Sequence, residues 1–362
     1  MNAENKVLDN STIALDSNKT GRSREAGKSS VDWAPMEYDF KDTWFAIAHA
    51  PNIGSKPRRL TLHAQQCYLW RDGAKVVASE FHPSKMDALK HAYSEFTGGS
   101  GFYPVVEFYG YVWVWYGNPE SATSELIPQI PFLPRDGSNI PNYMRTTIRF
   151  DGCTPLSVEN LLDLTHADFL HGEVVGGEGA AESDEVEFSF TSETLTRTRT
   201  VTGKPVSPIM RWVGGVRAKY QDSRSTLHVH LRNNLCISYP QFRPGFDIPN
   251  VQPFTPCGKY RSRVNQTFSL QGAPTPFRQI MPKMAYVVGP QDNSVIRPQN
   301  PKYIEAGANQ RRDLCSRFDG PGVRYRMLLK KLWQRQQQGD FSYQADVDVG
   351  GDVRQILGMT EN

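Results

Sequence analysis

Glu159-Asn160-Leu161-Leu162-Asp163-Leu164-Thr165-His166-Ala167-Asp168-Phe169-Leu170-His171 is the stretch on which the reading of this 362-residue chain turns. It sets two histidines five residues apart, behind an Asn and an Asp at fixed offsets. On a regular helix five steps turn about 500°, so the two imidazoles would point about 140° apart. They share one ion only where the helix ends or bends between them, and Gly172, directly after His171, supplies a stop. Asp163 and His166 are three apart and lie on one helical face. A carboxylate there accepts the second N–H of the imidazole and fixes its orientation, as a metal-binding histidine requires.

Two imidazoles and one distant carboxylate make the facial triad that holds non-haem Fe(II) and leaves positions open for O2. An isolated His-x4-His is more often two ordinary histidines on an amphipathic helix. The complete Glu-Asn-x2-Asp-x2-His-x4-His string is what points to iron here. His228 and His230 alternate on one strand and share a face. A structural role is the first reading of that pair, and a place in a substrate pocket the second.

Composition bounds the alternatives. The chain has 41 basic and 38 acidic residues, a net charge of +3, with no clustered basic patch to suggest nucleic acid. No apolar run is long enough to span a membrane. The first thirty residues carry Glu4, Asp9, Asp16 and Glu25 and no apolar core, so they read as a disordered tail rather than a leader. The five cysteines, Cys67, Cys153, Cys236, Cys257 and Cys315, form no Cys-x2-Cys pair and read as reduced thiols in a cytoplasmic setting. Neither His228 nor His230 is followed two residues on by Asp, as the His-x-Asp…His order of 2-oxoglutarate enzymes would need there, and a Gly-rich dinucleotide motif and a Gly-x-Ser-x-Gly elbow are absent.

Along the chain, short alternating runs broken by turns fill residues 44–117, with a hairpin at Arg71-Asp72-Gly73 and another around Gly110. A Pro- and Ser-rich stretch at 118–142 reads as a linker. Tyr143 to Phe150 reads as a strand and Pro155 to His171 as one helix. Strands follow at Glu185–Phe190, Thr194–Thr202, Thr226–Arg232, Cys236–Tyr239 and Lys259–Leu270, then helices at 275–287 and 301–338. The expected fold is α+β, in four parts: a tail at 1–35, a small antiparallel β domain at 36–130, a catalytic domain at 131–340 and a C-terminal tail at 341–362.

The motif and the order of elements resemble the Rieske non-haem iron oxygenases. The first strand at Trp44-Phe45, the Leu69-Trp70-Arg71-Asp72 hairpin and the closing Gly110-Tyr111-Val112-Trp113-Val114-Trp115 strand match that family's N-terminal domain. The resemblance implies a helix-grip catalytic domain, a curved antiparallel sheet around a long helix. It implies that His166, His171 and a downstream Asp bind one Fe(II). Asp292, in Asp292-Asn293-Ser294-Val295-Ile296-Arg297-Pro298-Gln299, fits the family's order of an Asp ahead of an apolar pair and a Gln; Asp313 is the competitor. Asn160 and Asp163 are the implied catalytic positions beside the metal. Gly307-Ala308-Asn309 with Gly322-Val323-Arg324-Tyr325-Arg326 resembles the chlorophyllide a and pheophorbide a oxygenase branch, which acts on tetrapyrroles. Small-aromatic hydroxylases and demethylases share the same iron motif.

One family feature is missing. A [2Fe–2S] Rieske centre needs two Cys and two His; His82 sits near where the first cluster loop would begin, but no Cys accompanies it. The cluster supplies electrons in the family, across a trimer interface bridged by the Asp of the iron motif. Here that Asp survives as Asp163. The first expectation is therefore an oxygenase subunit with mononuclear Fe(II) and no [2Fe–2S] cluster. It would act on a ring-containing small molecule, fed by a separate Rieske-bearing partner and a reductase or ferredoxin, in a homo- or heteromeric trimeric ring. The second is a non-catalytic subunit of a hetero-oligomer.

Overall fold

The computed structural model describes residues 38–88, 97, 100–163, 166–172, 184–305, 319–343 and 352–359. The tail at 1–35, Gly307-Ala308-Asn309, Asp313 and Cys315 lie outside them.

Seven strands open the described chain: β1 (Thr43–His49), β2 (Arg58–Leu62), β3 (Gln65–Asp72), β4 (Lys75–Ser79), β5 (Phe102–Tyr103), β6 (Val105–Phe108) and β7 (Tyr111–Tyr116). They form two antiparallel sheets, ordered β1-β7-β6 and β2-β3-β4-β5. The β6–β7 turn places Tyr109 and Gly110 at φ of 56° and 76°, the left-handed pair a two-residue hairpin needs. Every residue of β1 and β7 is buried, which is why they read as nearly continuous apolar runs. One face of β7, Val112, Val114 and Tyr116, packs on Leu60, Leu62, Cys67 and Leu69. The other, Tyr111, Trp113 and Trp115, packs on Leu235, Ile237 and Val251 of the next sheet.

That sheet has seven antiparallel strands, β8 (Arg145–Phe150), β9 (Glu185–Phe190), β10 (Thr194–Pro205), β11 (Tyr220–His230), β12 (Leu235–Arg243), β13 (Asn250–Pro256) and β14 (Ser262–Phe268). Their order is β8-β14-β13-β12-β11-β10-β9. The chain thus leaves β8 at one edge and re-enters as β9 at the other, so the intervening helices α1 (Thr154–Leu162) and α2 (His166–Leu170) cross the sheet. After β14 the 31-residue helix α4 (Thr275–Glu305) returns over the same face and packs against β8 and α1. A short α3 (Pro208–Trp212) precedes β11; α5 (Gly320–Gln337) and α6 (Val353–Leu357) follow α4. Bonds from Tyr111 Oη to Thr267 Oγ1 (2.6 Å) and Arg263 Nη2 to Ile47 O (3.1 Å) tie the N-terminal strands to the opposite face.

The structure departs from the sequence reading in several places. The single helix expected at Pro155–His171 is two, because Asp163 leaves helical geometry at φ −85°, ψ 81°. The expected linker at 118–142 contributes Ile127, Ile130 and Leu133 to the core. β13 carries Pro253 and Pro256 and has no strand-like signature in the sequence, yet it sits centrally. The helices expected at 275–287 and 301–338 are α4 and α5. α4 runs on through Pro282, Pro290, Pro298 and Pro301. Each internal proline costs about 3 kcal/mol in a free helix, and here burial of one face against the sheet outweighs it. Residues 352–359, expected within a tail, dock through Leu357, which is fully buried and whose carbonyl accepts from Arg224 Nη1 at 2.9 Å.

Candidate metal centre

The crossing helices and α4 meet over one face of the sheet, and there His166, His171 and Asp292 converge. Their ligand atoms all lie within 4.8 Å of one another, the single such group of three or more His, Cys, Asp or Glu among the described residues. His171 Nε2 is 3.0 Å and His166 Nε2 3.3 Å from Asp292 Oδ1. Donors on neighbouring corners of an octahedron with bonds near about 2.1 Å lie about 3.0 Å apart. Both His-to-Asp292 separations therefore suit donors sharing one ion.

The geometry behind the donors explains this convergence. α2 ends at Leu170, so His171 follows the last turn and escapes the 140° divergence of a continuous helix. The outward Nδ1 atoms are both engaged. His171 Nδ1 lies 2.8 Å from Gln291 Oε1, and His166 Nδ1 bonds the main-chain oxygen of Asp163. Carbonyl acceptors at Nδ1 hold protons there and turn both Nε2 atoms inward; in the metal-free chain these face Asp292 as N–H donors, and each would present a lone pair once its proton leaves to an incoming ion. The carboxylate of Asp163, expected to take this bond, does not. The helix break turns the Asp163 carbonyl toward the ring instead. The Asp163 carboxylate acts electrostatically on Arg197, a fully buried arginine on β10.

Asn160 Nδ2 donates to Asp292 Oδ1 at 3.1 Å. Burial opposes ionisation of Asp292, but hydrogen bonds from His166 and His171 prevail and hold its carboxyl down at about 2. Burial also opposes the charged form of His171, while Asp292 and Gln291 raise its pKa on balance. Glu159, the first residue of the motif, forms a two-point pair with buried Arg326 (2.5 and 2.7 Å), fastening α1 to α5. Sequence reasoning missed Gln291 and Arg326. Gln291 neighbours Asp292, and adjacent helix residues do not normally face one target; it reaches His171 because His171 lies beyond α2.

A cavity of about 290 Å³ opens beside this centre, with Asn160, Ala167 and Asp292 on its wall. Met281, Met284, Ala285, Val288 and Asp292 of α4 line it at helical spacing. The strands contribute Phe150, Phe254 and Phe268, together with Ser223, Ser225, Ser238, Asn250, Gln252 and Gln266. His228 and His230 do not line it. Gln221, Ser223 and Ser225 of β11 face the cavity, so His228 and His230 lie on the opposite face. There His228 lies 2.7 Å from Thr196 Oγ1, and burial lowers its pKa to about 4. In the N-terminal strands Cys67 is buried in β3, where burial pushes its thiol up to about 12, and His82 bonds Ser84.

Known proteins agree with this architecture. Residues 150–335 match the family model of the vanillate O-demethylase oxygenase C-terminal domain. No curated protein matches in sequence. Among solved structures, dicamba monooxygenase bound to 3,6-dichlorosalicylic acid is 16% identical, with 83% of this chain and 99% of that one covered and a TM-score of 0.69. The NdmA QL mutant of Pseudomonas putida CBB5 with caffeine is 13% identical, covering 83% and 92%, with a TM-score of 0.53. The terminal oxygenase of carbazole 1,9a-dioxygenase from Nocardioides aromaticivorans IC177 is 13% identical, covering 82% and 95%, with a TM-score of 0.52. These identities speak for the fold: mixed helices and antiparallel sheets laid out as in Rieske oxygenase catalytic domains. With the family model spanning more than half of its length, this chain belongs to the vanillate O-demethylase oxygenase C-terminal domain family, among the Rieske non-haem iron oxygenases.

Proposed function

We propose that this chain is the iron-bearing subunit of an oxygenase that hydroxylates or oxidatively demethylates a ring-containing substrate held in the 290 Å³ cavity. The observation that carries the proposal is the convergence of two inward Nε2 atoms and an ionised carboxylate on the wall of that cavity. His166, His171 and Asp292 would hold Fe(II), which when bound supplies O2 activation. Asp163 O and Gln291 hold the two rings in their metal-ready orientation. Asn160 fixes the rotamer of Asp292. The apolar lining from α4 excludes water and presents the substrate to the metal side. The cavity is at the low end of the roughly 300–1,000 Å³ range of ligand pockets. That volume favours one or two fused rings over the tetrapyrrole of the chlorophyllide a oxygenase branch. Dicamba and caffeine, held by two of the similar proteins, are of this size class.

The chain lacks the Cys-x-His…Cys-x2-His set between Ala78 and Tyr103, so its electrons come from a separate Rieske-bearing subunit with its reductase, in a ring that places the partner's cluster near Asp163. An intact triad favours this reading over a structural subunit, which has no use for metal ligands. Metal and sulfide analysis tests it. The expected result is about one iron per chain, no acid-labile sulfide, and loss of iron in Asp292→Ala. Stoichiometric sulfide, or no iron in the wild type, overturns it.

A further inference from the structure

The cavity has two unlike ends. Register places Ser223 opposite Phe242, with Gln221 two residues further out on β11 beside Lys204. Phe242, Ile248, Phe268 and Met281 pack together there. Met281 precedes Asp292 by eleven helical residues, so this end lies up to about 16 Å from the metal donors. Apart from Lys204, the far end carries neutral polar groups. Asn250 Oδ1 accepts from Gln252 Nε2 (2.6 Å) and Gln266 Nε2 (3.1 Å), while Asn250 Nδ2 donates to Ile248 O (3.2 Å). Those amides orient one another. Arg199 also lines the cavity, but Asp184 pairs with it at 2.5 and 3.1 Å and cancels its charge.

Gln221 stands apart. It lines the cavity, is 3% exposed, and its Oε1 has no hydrogen-bond partner among the described residues. A buried acceptor without a partner is costly, and water or a ligand donor must satisfy it. A primary amide also carries a donor beside that acceptor, so its natural complement is an N–H next to a C=O.

We infer that the substrate is an uncharged ring system with a lactam-like N–H/C=O edge, seated with that edge on Gln221 and its opposite side toward His166, His171 and Asp292. The inference rests on the cavity being the substrate site and deepens that reading. Among the described residues, a carboxylate would find no uncompensated buried cation at this wall. Lys204, partly exposed, also lines the cavity, and the test includes an anionic substrate drawn to it.

The test is binding to the purified, iron-loaded chain by calorimetry, with 2-quinolone, N-methyl-2-quinolone and 2-naphthoate as probes. Methylation removes the donor and leaves Gln221 Oε1 unmatched, so N-methyl-2-quinolone should bind roughly ten- to hundred-fold more weakly than 2-quinolone. In Gln221→Met the two should bind alike, with iron content unchanged. The comparison of probes in the wild type decides the matter even where the variant folds poorly. Tighter binding of 2-naphthoate than of 2-quinolone, equal binding of both quinolones to the wild type, or no binding of either overturns the inference. Iron content is measured on the same samples. A chain that holds iron but rejects the lactam refutes this inference alone, whereas a chain that holds no iron refutes the proposed function.

Discussion

Gly289 sets how close α4 approaches the sheet, and Gly289→Ala tests whether that closeness builds the metal centre. A methyl group there would stand 2.8 Å from Ile148 Cγ2 and 3.0 Å from Ile148 Cδ1. Carbon atoms in contact prefer about 3.6 Å, so the helix must retreat from β8 by about 0.8 Å, or Ile148 must leave its place. Asp292 is three residues on, on the same helical face, and would move with the helix. Metal sites tolerate about 0.2 Å in ligand distance, so a retreat of that size should weaken iron binding by at least about ten-fold. Stability should change less. Overpacking costs about 1–3 kcal/mol, while Ala in place of Gly returns about 1 kcal/mol of helix propensity. The assay is competition against a chelator of known affinity, run beside a urea melt. Ile148→Ala in the same chain should restore iron affinity while lowering stability further, by less than the roughly 2–5 kcal/mol of a fully buried Ile→Ala because Ile148 is only partly buried. Wild-type iron affinity in Gly289→Ala would refute the reasoning, as would a loss that Ile148→Ala does not relieve.

Three more expectations follow from the same geometry. Asp163→Asn keeps the main-chain oxygen that holds His166, so iron should stay bound; turnover through the Rieske-bearing partner should collapse while peroxide-driven product formation survives, and equal loss by both routes would remove the electron-transfer role. Gln291→Leu takes away the acceptor at His171 Nδ1 and should weaken iron binding by about 10- to 100-fold, read by the same chelator competition. His49, His63 and His228 are buried, and burial lowers each from 6.5 to about 4. The unfolded chain takes up these protons below 6.5 and the native one only near 4, so stability is full above 6.5 and falls as pH drops between the two. The slope is about 1.4 kcal/mol per pH unit for each histidine; urea midpoints that stay flat from pH 6.5 to 5 would contradict it.

The strands were legible where burial is one-sided or complete. The runs at Trp44–Ala48 and Tyr111–Tyr116 announce themselves because all their residues are apolar or aromatic, and β1 and β7 are buried throughout. The helix break at Asp163 was not legible, since no Gly or Pro marks it. α4 was misread for the opposite reason. Its four prolines are strong local signals that packing against β8 overrides. Of the candidate site, the spacing 160-163-166-171 and the family-like setting of Asp292 brought forward the three side chains that the fold gathers. The support at Nδ1 could not, because one acceptor is a backbone atom and the other, Gln291, is brought in only by the fold.

The candidate metal donors and their supports all sit on or beside helices, whereas the neutral polar wall of the cavity is carried by β11 to β14. On a strand, side chains alternate between faces and the ladder is made by the backbone. Residues such as Gln221, Ser223, Ser225 and Ser238 can therefore be exchanged without breaking a ladder bond or disturbing the Trp113 and Trp115 packing behind the sheet. This gives the fold an evolutionary freedom. Under the proposed function, substrate preference drifts by single steps on the strands at little cost in stability, while the candidate metal centre stays fixed.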